Sequence, residues 1–295
     1  MTSHTDENLH HNTHDDMGGF RRDLEIMSRR RLLGLVGGIG TAVVLGACRD
    51  STLKVDATTS SLDVNRDTLA SSDATVGLGG VEEDTSLIAS SGDEIPNETA
   101  GPFPADGTNG PNVLKDGAVV RQDFTTSFGE YSGTAPGVPA RFTLMVVDAA
   151  TGAALSGVAL YAWHCTSDGK YSIYEVENQN YLRGLQVADE LGVVRFDTIF
   201  PGCYRGRWPH VHFEVFDGLT SATSGSATLK TSQLALPEAA CRQVYADAAY
   251  ANSVGALGAQ SLSGDGVFRD GWTEQLATAT GSNADGWDVS LLIRV

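Results

Sequence analysis

Positive charge is scarce in this chain of 295 residues: 20 Lys and Arg stand against 37 Asp and Glu, leaving a net charge of −17. A surface so acidic repels a phosphate backbone over most of its area, which excludes nucleic-acid binding. Long apolar runs are lacking too. The stretch from Leu32 to Ala47 is 16 residues long and rich in glycine, short of the ~20 a helix needs to cross a bilayer. Aromatic residues are absent from positions 56–98, where ten acids stand against Arg66 alone. Such a segment buries too little apolar surface to offset its ordering entropy. Residues 49–95 accordingly read as an acidic, disordered linker. Proline is modest at 9, while glycine is plentiful at 34, a turn-rich balance that leans toward β structure. Hydrophobic residues still make up 41 %, enough for a real core, so the remaining segment, 96–295, is expected to fold as one domain.

Residues 1–48 read as an N-terminal extension and export signal. Ser28-Arg29-Arg30-Arg31-Leu32-Leu33 precedes the uncharged run that ends at Ala47-Cys48, the basic start and short apolar core of a targeting segment. The paired arginines resemble a twin-arginine signal, which implies the twin-arginine export machinery as a partner. Leu45-Gly46-Ala47-Cys48 resembles a lipobox, with Cys48 as the lipidated residue; a plain cleaved signal or a membrane helix is the simpler alternative. The expectation is an exported protein, either held on the extracytoplasmic side by a lipid at Cys48, its sole membrane contact, or secreted. His4, His10, His11 and His14 lie upstream of any cleavage and receive no role.

Past the linker, strands dominate. Segments 138–147, 158–163, 193–200 and 211–216 alternate or run apolar and stop at turn clusters such as Asp148-Ala149-Ala150-Thr151-Gly152 and Pro201-Gly202. Residues 287–295 read as a closing strand and 236–251 as a helix. The fold class is therefore all-β, an antiparallel sandwich with a short helix and long loops. No internal repeat and no phosphate-binding glycine loop occurs.

Chemistry-bearing residues gather in about forty positions. His210 and His212 are two apart on a strand, so both imidazoles project from one face. Tyr204 sits a short loop upstream, and Tyr171 follows the turn Asp168-Gly169-Lys170. Two phenols and two imidazoles are the wrong set for a structural zinc; phenolate is a hard anionic donor and favours an ion such as Fe(III). His164 and Cys165, at the end of a strand, read as packing or pocket-wall residues.

These residues carry a resemblance. Tyr171-Ser172-Ile173-Tyr174, Tyr181-Leu182-Arg183-Gly184, Phe200-Pro201-Gly202-Cys203-Tyr204 and Arg207-Trp208-Pro209-His210-Val211-His212-Phe213 are similar, in order, to the intradiol ring-cleavage dioxygenases, the family of catechol 1,2-dioxygenase and protocatechuate 3,4-dioxygenase. Glu98-Thr99-Ala100-Gly101-Pro102-Phe103 resembles the family segment beside the active site. The resemblance implies one mononuclear non-haem Fe(III) bound by Tyr171, Tyr204, His210 and His212. It implies cleavage of a catechol by O2 to a cis,cis-muconate-type dicarboxylic acid. Tyr204 would be the tyrosinate that dissociates as substrate chelates, Arg207 the group that stabilises charge on the ring, and Gln233 its neighbour. Pro102, Phe103 and Trp208 would line the substrate pocket. The cytoplasmic members carry a helical dimerisation segment where this chain has its linker, so an oligomer is possible but their dimer is not implied. A non-catalytic metal- or ligand-binding exported module is the alternative, and a metal-dependent hydrolase or lectin-like module lacks its carboxylate or zinc set. With Cys48 lipidated, Cys165, Cys203 and Cys241 remain, and a Cys203–Cys241 disulfide is expected to brace the turn behind Tyr204. Cys165–Cys203, or three free thiols, are the other arrangements.

Overall fold

The computed structural model describes residues 92–295; the segment expected to be an export signal, Cys48 and the expected linker up to position 91 lie outside the described residues. Eight strands form two sheets: β1 (Pro139–Val147), β2 (Ala159–Trp163), β3 (Arg183–Val187), β4 (Val193–Ile199), β5 (His210–Phe216), β6 (Lys230–Ala235), β7 (Thr278–Ser282) and β8 (Gly286–Arg294). One sheet has the order β4-β1-β8-β7 and the other β3-β2-β5-β6. The expected sandwich is there, with one departure: β1 pairs with β8 in parallel. Parallel neighbours need a long connection, and here most of the domain supplies it. Linker and domain also join slightly earlier than expected. Gly92 N–H donates to the Ala149 carbonyl and Ile95 N–H to that of Arg294, and Ile95 is buried, so the last linker residues are already tied to the sandwich.

Between the sheets lies the main core. β1 contributes Phe142, Leu144 and Val146, β8 contributes Val289, Leu291 and Ile293, and the second sheet answers with Leu160, Ala162, Val211, Phe213 and Val215. A second core covers the far face of the β3-β2-β5-β6 sheet, where Tyr161, Trp163 and Phe216 meet Phe103, Val113, Leu114, Val119 and Phe128 from the long segment before β1. That sheet is thus buried on both faces, and its outer face carries the chemistry. Three helices complete the domain: α1 (Leu219–Ser224) packs on β2 and β5, α2 (Glu238–Val244) packs on β7, and α3 is Ala251–Gly258. The single helix expected over 236–251 is broken because the Asp247 carboxylate accepts from Ala249 N–H and starts a 3-10 turn at 248–250.

Candidate metal centre

Strand register builds the floor of the site. Arg183 pairs with Trp163, Trp163 with His212 and His212 with Gln233, so these four stand in one rank across the outer face. The indole of Trp163 stacks on His212 at 5.0 Å, 4° from parallel. His210, one pleat along, joins His212 on the same face, as the spacing required.

Two turns bring the phenols over this floor. Tyr171 follows the turn at Gly169 (φ 86°); Tyr204 ends the turn after β4. The turns are pressed together, since a Cβ on Gly202 would stand 2.5 Å from the Thr166 and Ser167 carbonyls, and one on Gly169 would stand 3.0 Å from the Cys203 carbonyl. Ser253 of α3 clips them: its hydroxyl accepts from Cys203 N–H at 2.9 Å and donates to the Ser167 carbonyl at 2.8 Å. Tyr171 is buried under Phe103, whose ring centroid is 5.0 Å away. Tyr204 is half-buried.

The four side chains predicted from sequence converge. His210 Nε2 lies 3.3 Å from Tyr171 Oη, 3.2 Å from Tyr204 Oη and 3.1 Å from His212 Nε2. His210 Nδ1 is 2.5 Å from the Trp208 carbonyl, which only accepts, so Nδ1 carries the proton and Nε2 a lone pair. A single lone pair takes one hydrogen bond, yet three polar atoms crowd it. Donor atoms held about 2.1 Å from one ion stand about 3.0–3.4 Å from each other, the spacing seen. Burial first, then the Arg207 guanidinium, pushes the His210 imidazole down to about 3. Burial, His210 and Arg207 likewise hold His212 well below its ordinary value. Both rings are therefore neutral, as metal ligands must be. The donor set fits a cation. Among the described residues no cluster of three or more His, Cys, Asp or Glu forms a metal site, so the phenols are half of what this centre offers.

Behind the floor lies a charged, fully buried pair. Arg207 Nε donates to Asp265 Oδ2 at 3.0 Å with both side chains at 0 % exposure, and Arg207 Nη2 donates to Gln233 Oε1 at 2.6 Å. Gln233 Nε2 donates to the Thr99 carbonyl at 2.8 Å, which ties the pair to the segment that also carries Pro102 and Phe103. Arg183 holds that segment further along, donating to the Phe103 and Pro104 carbonyls and to the Ser172 carbonyl beyond Tyr171. Thr99, Glu98, Asp270, Trp272 and Glu274 line a cavity of about 800 Å³ that none of the four donor residues touches. Burial, with Asp270 adding to it, raises the Glu98 carboxyl to about 7.

Two expectations take a different form. Cys203 and Cys241 are not bridged; they and Cys165 are free, buried thiols. Cys203 Sγ lies 3.5 Å from the Arg207 carbonyl and Cys165 Sγ 3.5 Å from that of Gly202, so the sulfurs serve the loops as donors, and burial pushes Cys203 up to about 12. The brace expected of a disulfide is supplied by Ser253 and the two glycines. Trp208 packs in the main core with its indole N–H on the Leu236 carbonyl; its backbone, not its ring, serves the site. His164 is a packing residue, as expected, bonded to the Cys165 carbonyl and Thr198 hydroxyl. Sequence reasoning missed Asp265, Arg183 and Ser253. Of these only Arg183 carried a signal, as a member of Tyr181-Leu182-Arg183-Gly184, one of the segments that carry the resemblance.

No family model matches the sequence, and no curated protein does. Solved structures do match. A dioxygenase crystal structure is similar at 20 % identity over 69 % of this chain and 94 % of that chain, with a TM-score of 0.54. An intradiol ring-cleavage dioxygenase from Tetranychus urticae is 21 % identical over 59 % and 85 %, with a TM-score of 0.49. The dioxygenase domain of a dioxygenase carbohydrate-binding protein fusion from Streptomyces sp. SirexAA-E is 21 % identical over 69 % and 98 %, with a TM-score of 0.45. The first likeness shows that the described residues share the fold of that structure.

Proposed function

We propose that this chain is an intradiol ring-cleavage dioxygenase, opening a catechol-type aromatic with O2 to a cis,cis-muconate-type dicarboxylic acid. The observation that carries the reading is the meeting of two phenols and two neutral imidazoles around one point. Tyr171, Tyr204, His210 and His212 would hold a single ferric ion, whose charge two tyrosinates and a hydroxide neutralise in a buried setting. When bound, that ion supplies the Lewis acidity and redox character that let a chelated catechol react with O2.

The chain's own residues do the rest. Tyr171 is walled in by Phe103 and stays put. Tyr204, half-buried at the end of a turn, is placed to leave the donor set and take up a catechol proton at its phenolate oxygen. Arg207 holds a fixed positive charge in a dry site, suited to the negative charge that builds on the ring. Gln233 fixes the plane of that guanidinium through Oε1. Phe103, packed over Tyr171, and its neighbour Pro102 would exclude water and face the ring of the substrate.

Purified protein supplied with ferric salt is expected to be red-brown from tyrosinate-to-iron charge transfer, to hold one iron per chain and to consume O2 with catechol. A coloured protein inert toward every catechol tried would move the reading to a non-catalytic iron-binding module, and a colourless one would remove the metal assignment.

A further inference from the structure

We propose that Asp265, outside the donor set and outside the pocket, is the positioning residue that sets both Arg207 and His210, an inference that rests on the ring-cleavage reading above. Asp265 is wholly buried in the turn Ser261-Leu262-Ser263-Gly264-Asp265-Gly266, and both carboxylate oxygens are committed. Oδ1 accepts from Val267 N–H at 2.7 Å and Phe268 N–H at 3.2 Å, which fixes the carboxylate to its own turn. Oδ2 accepts from Arg207 Nε at 3.0 Å and from Trp208 N–H at 2.7 Å. Two neighbouring residues of the short loop between Tyr204 and His210 are thus gripped by one oxygen.

Each contact does separate work. The Nε bond, with the Gln233 bond at Nη2, leaves the guanidinium plane no freedom to turn. The carboxylate also balances a buried cation that would otherwise be costly. The second bond acts through a peptide: the 207–208 amide gives its N–H to Asp265, and the Trp208 carbonyl one peptide further accepts from His210 Nδ1 at 2.5 Å. Fixing residue 208 at its amide fixes the carbonyl that selects the His210 tautomer and aims its Nε2. Metal-bound imidazoles generally lean on a carboxylate or carbonyl through their other nitrogen, and here a carboxylate anchors the carbonyl that does so. Burial pushes the Asp265 carboxyl up, but Arg207 and the Trp208 N–H outweigh it and hold it below its ordinary value, so the acid is ionised when it performs this role.

The test compares full-length, iron-loaded protein with Asp265→Asn, Arg207→Gln and the double variant, the last keeping the experiment open if a lone buried charge hinders folding. Asp265→Asn is expected to retain iron, to lower kcat about 10–100-fold with KM little changed, and to shift the charge-transfer band to longer wavelength, because a less firmly oriented imidazole donates less to the metal. On the Arg207→Gln background the same change should add nothing further to the loss of kcat yet still move the band, separating the arginine arm from the histidine arm. An Asp265→Asn protein with parental kcat and an unmoved band would overturn the proposal, as would losses of kcat that simply multiply in the double variant. A parent protein that binds no iron fails differently: it ends the ring-cleavage reading, and this inference with it.

Discussion

The two sheets have four strands each and do different things. In the β4-β1-β8-β7 sheet burial alternates along each long strand, with one face in the core and the other in solvent. In the β3-β2-β5-β6 sheet, every residue of β2 and β5 is buried, because loops before β1 roof its outer face. A sheet with one wet face can tolerate any polar residue there. In a sheet with two dry faces a polar side chain is costly unless it is paired or bonded, and the outer face concentrates such residues, His210, His212, Gln233 and Arg183, in the floor of the site. Chemistry and core are therefore back to back on β5, alternating residue by residue.

That alternation is open to breaking. Phe213→Ala, on the inner face, is expected to cost about 3–5 kcal/mol and to lower Tm by about 10 °C, while the protein that remains folded still binds iron. His212→Ala, one residue earlier on the outer face, should lose the metal and colour with a far smaller change in the Tm of metal-free protein. Thermal unfolding and iron content on both variants check this; a Phe213→Ala protein of normal Tm but without iron would dissolve the division of faces.

Between the two phenols the contrast is burial. Tyr171→Phe should abolish stable iron binding, since that ring is walled in and has no replacement donor. Tyr204→Phe should keep iron, change its colour and slow turnover. Absorption spectra and O2 uptake decide it, and a Tyr204→Phe protein with parental spectrum and rate would remove Tyr204 from the donor set.

The smallest effect concerns Glu98, at the edge of the roof. Its carboxyl is raised from 4.5 to about 7 in the fold by burial and then Asp270. Below about 4.5 it is protonated folded or unfolded and costs nothing; as pH climbs toward 7 only the unfolded chain ionises freely, so stability drains away across that window. Because the group is partly open to solvent, the loss is set at about 1 kcal/mol. Glu98→Gln should match the parent near pH 4.5 and exceed it by about 2–4 °C in Tm above pH 7. Equal Tm values at both pH values would refute the raised carboxyl.

What was legible in the sequence follows the same division. β1, β2, β4, β5 and β8 announce themselves as apolar or alternating runs, and the His210–His212 pair declares its face by spacing alone. β3, β6 and β7 did not, because Arg183-Gly184, Lys230-Thr231-Ser232-Gln233 and Thr278-Ala279-Thr280-Gly281-Ser282 are polar or glycine-bearing and owe their pairing to neighbours already in place. The tyrosine turns were legible through the resemblance they carry. Asp265 was not, since nothing local in a Ser-Gly turn says that Arg207, far upstream, needs a counter-charge. The disulfide was misjudged because counting cysteines carries no information on where their sulfurs point.

The parallel pairing of β1 with β8 has a bearing on how the molecule comes into being. Ala140 meets Trp287 and Val147 meets Arg294, partners roughly 150 residues apart, and β8 lies between β1 and β7 rather than at a rim. The middle of one layer is filled by the stretch synthesised after every other strand. Until it arrives, β1 presents an open, apolar flank, and closing so large a loop is slow. A nascent chain with this topology stays unfinished until Gly286–Arg294 has been made, a natural point for chaperone capture.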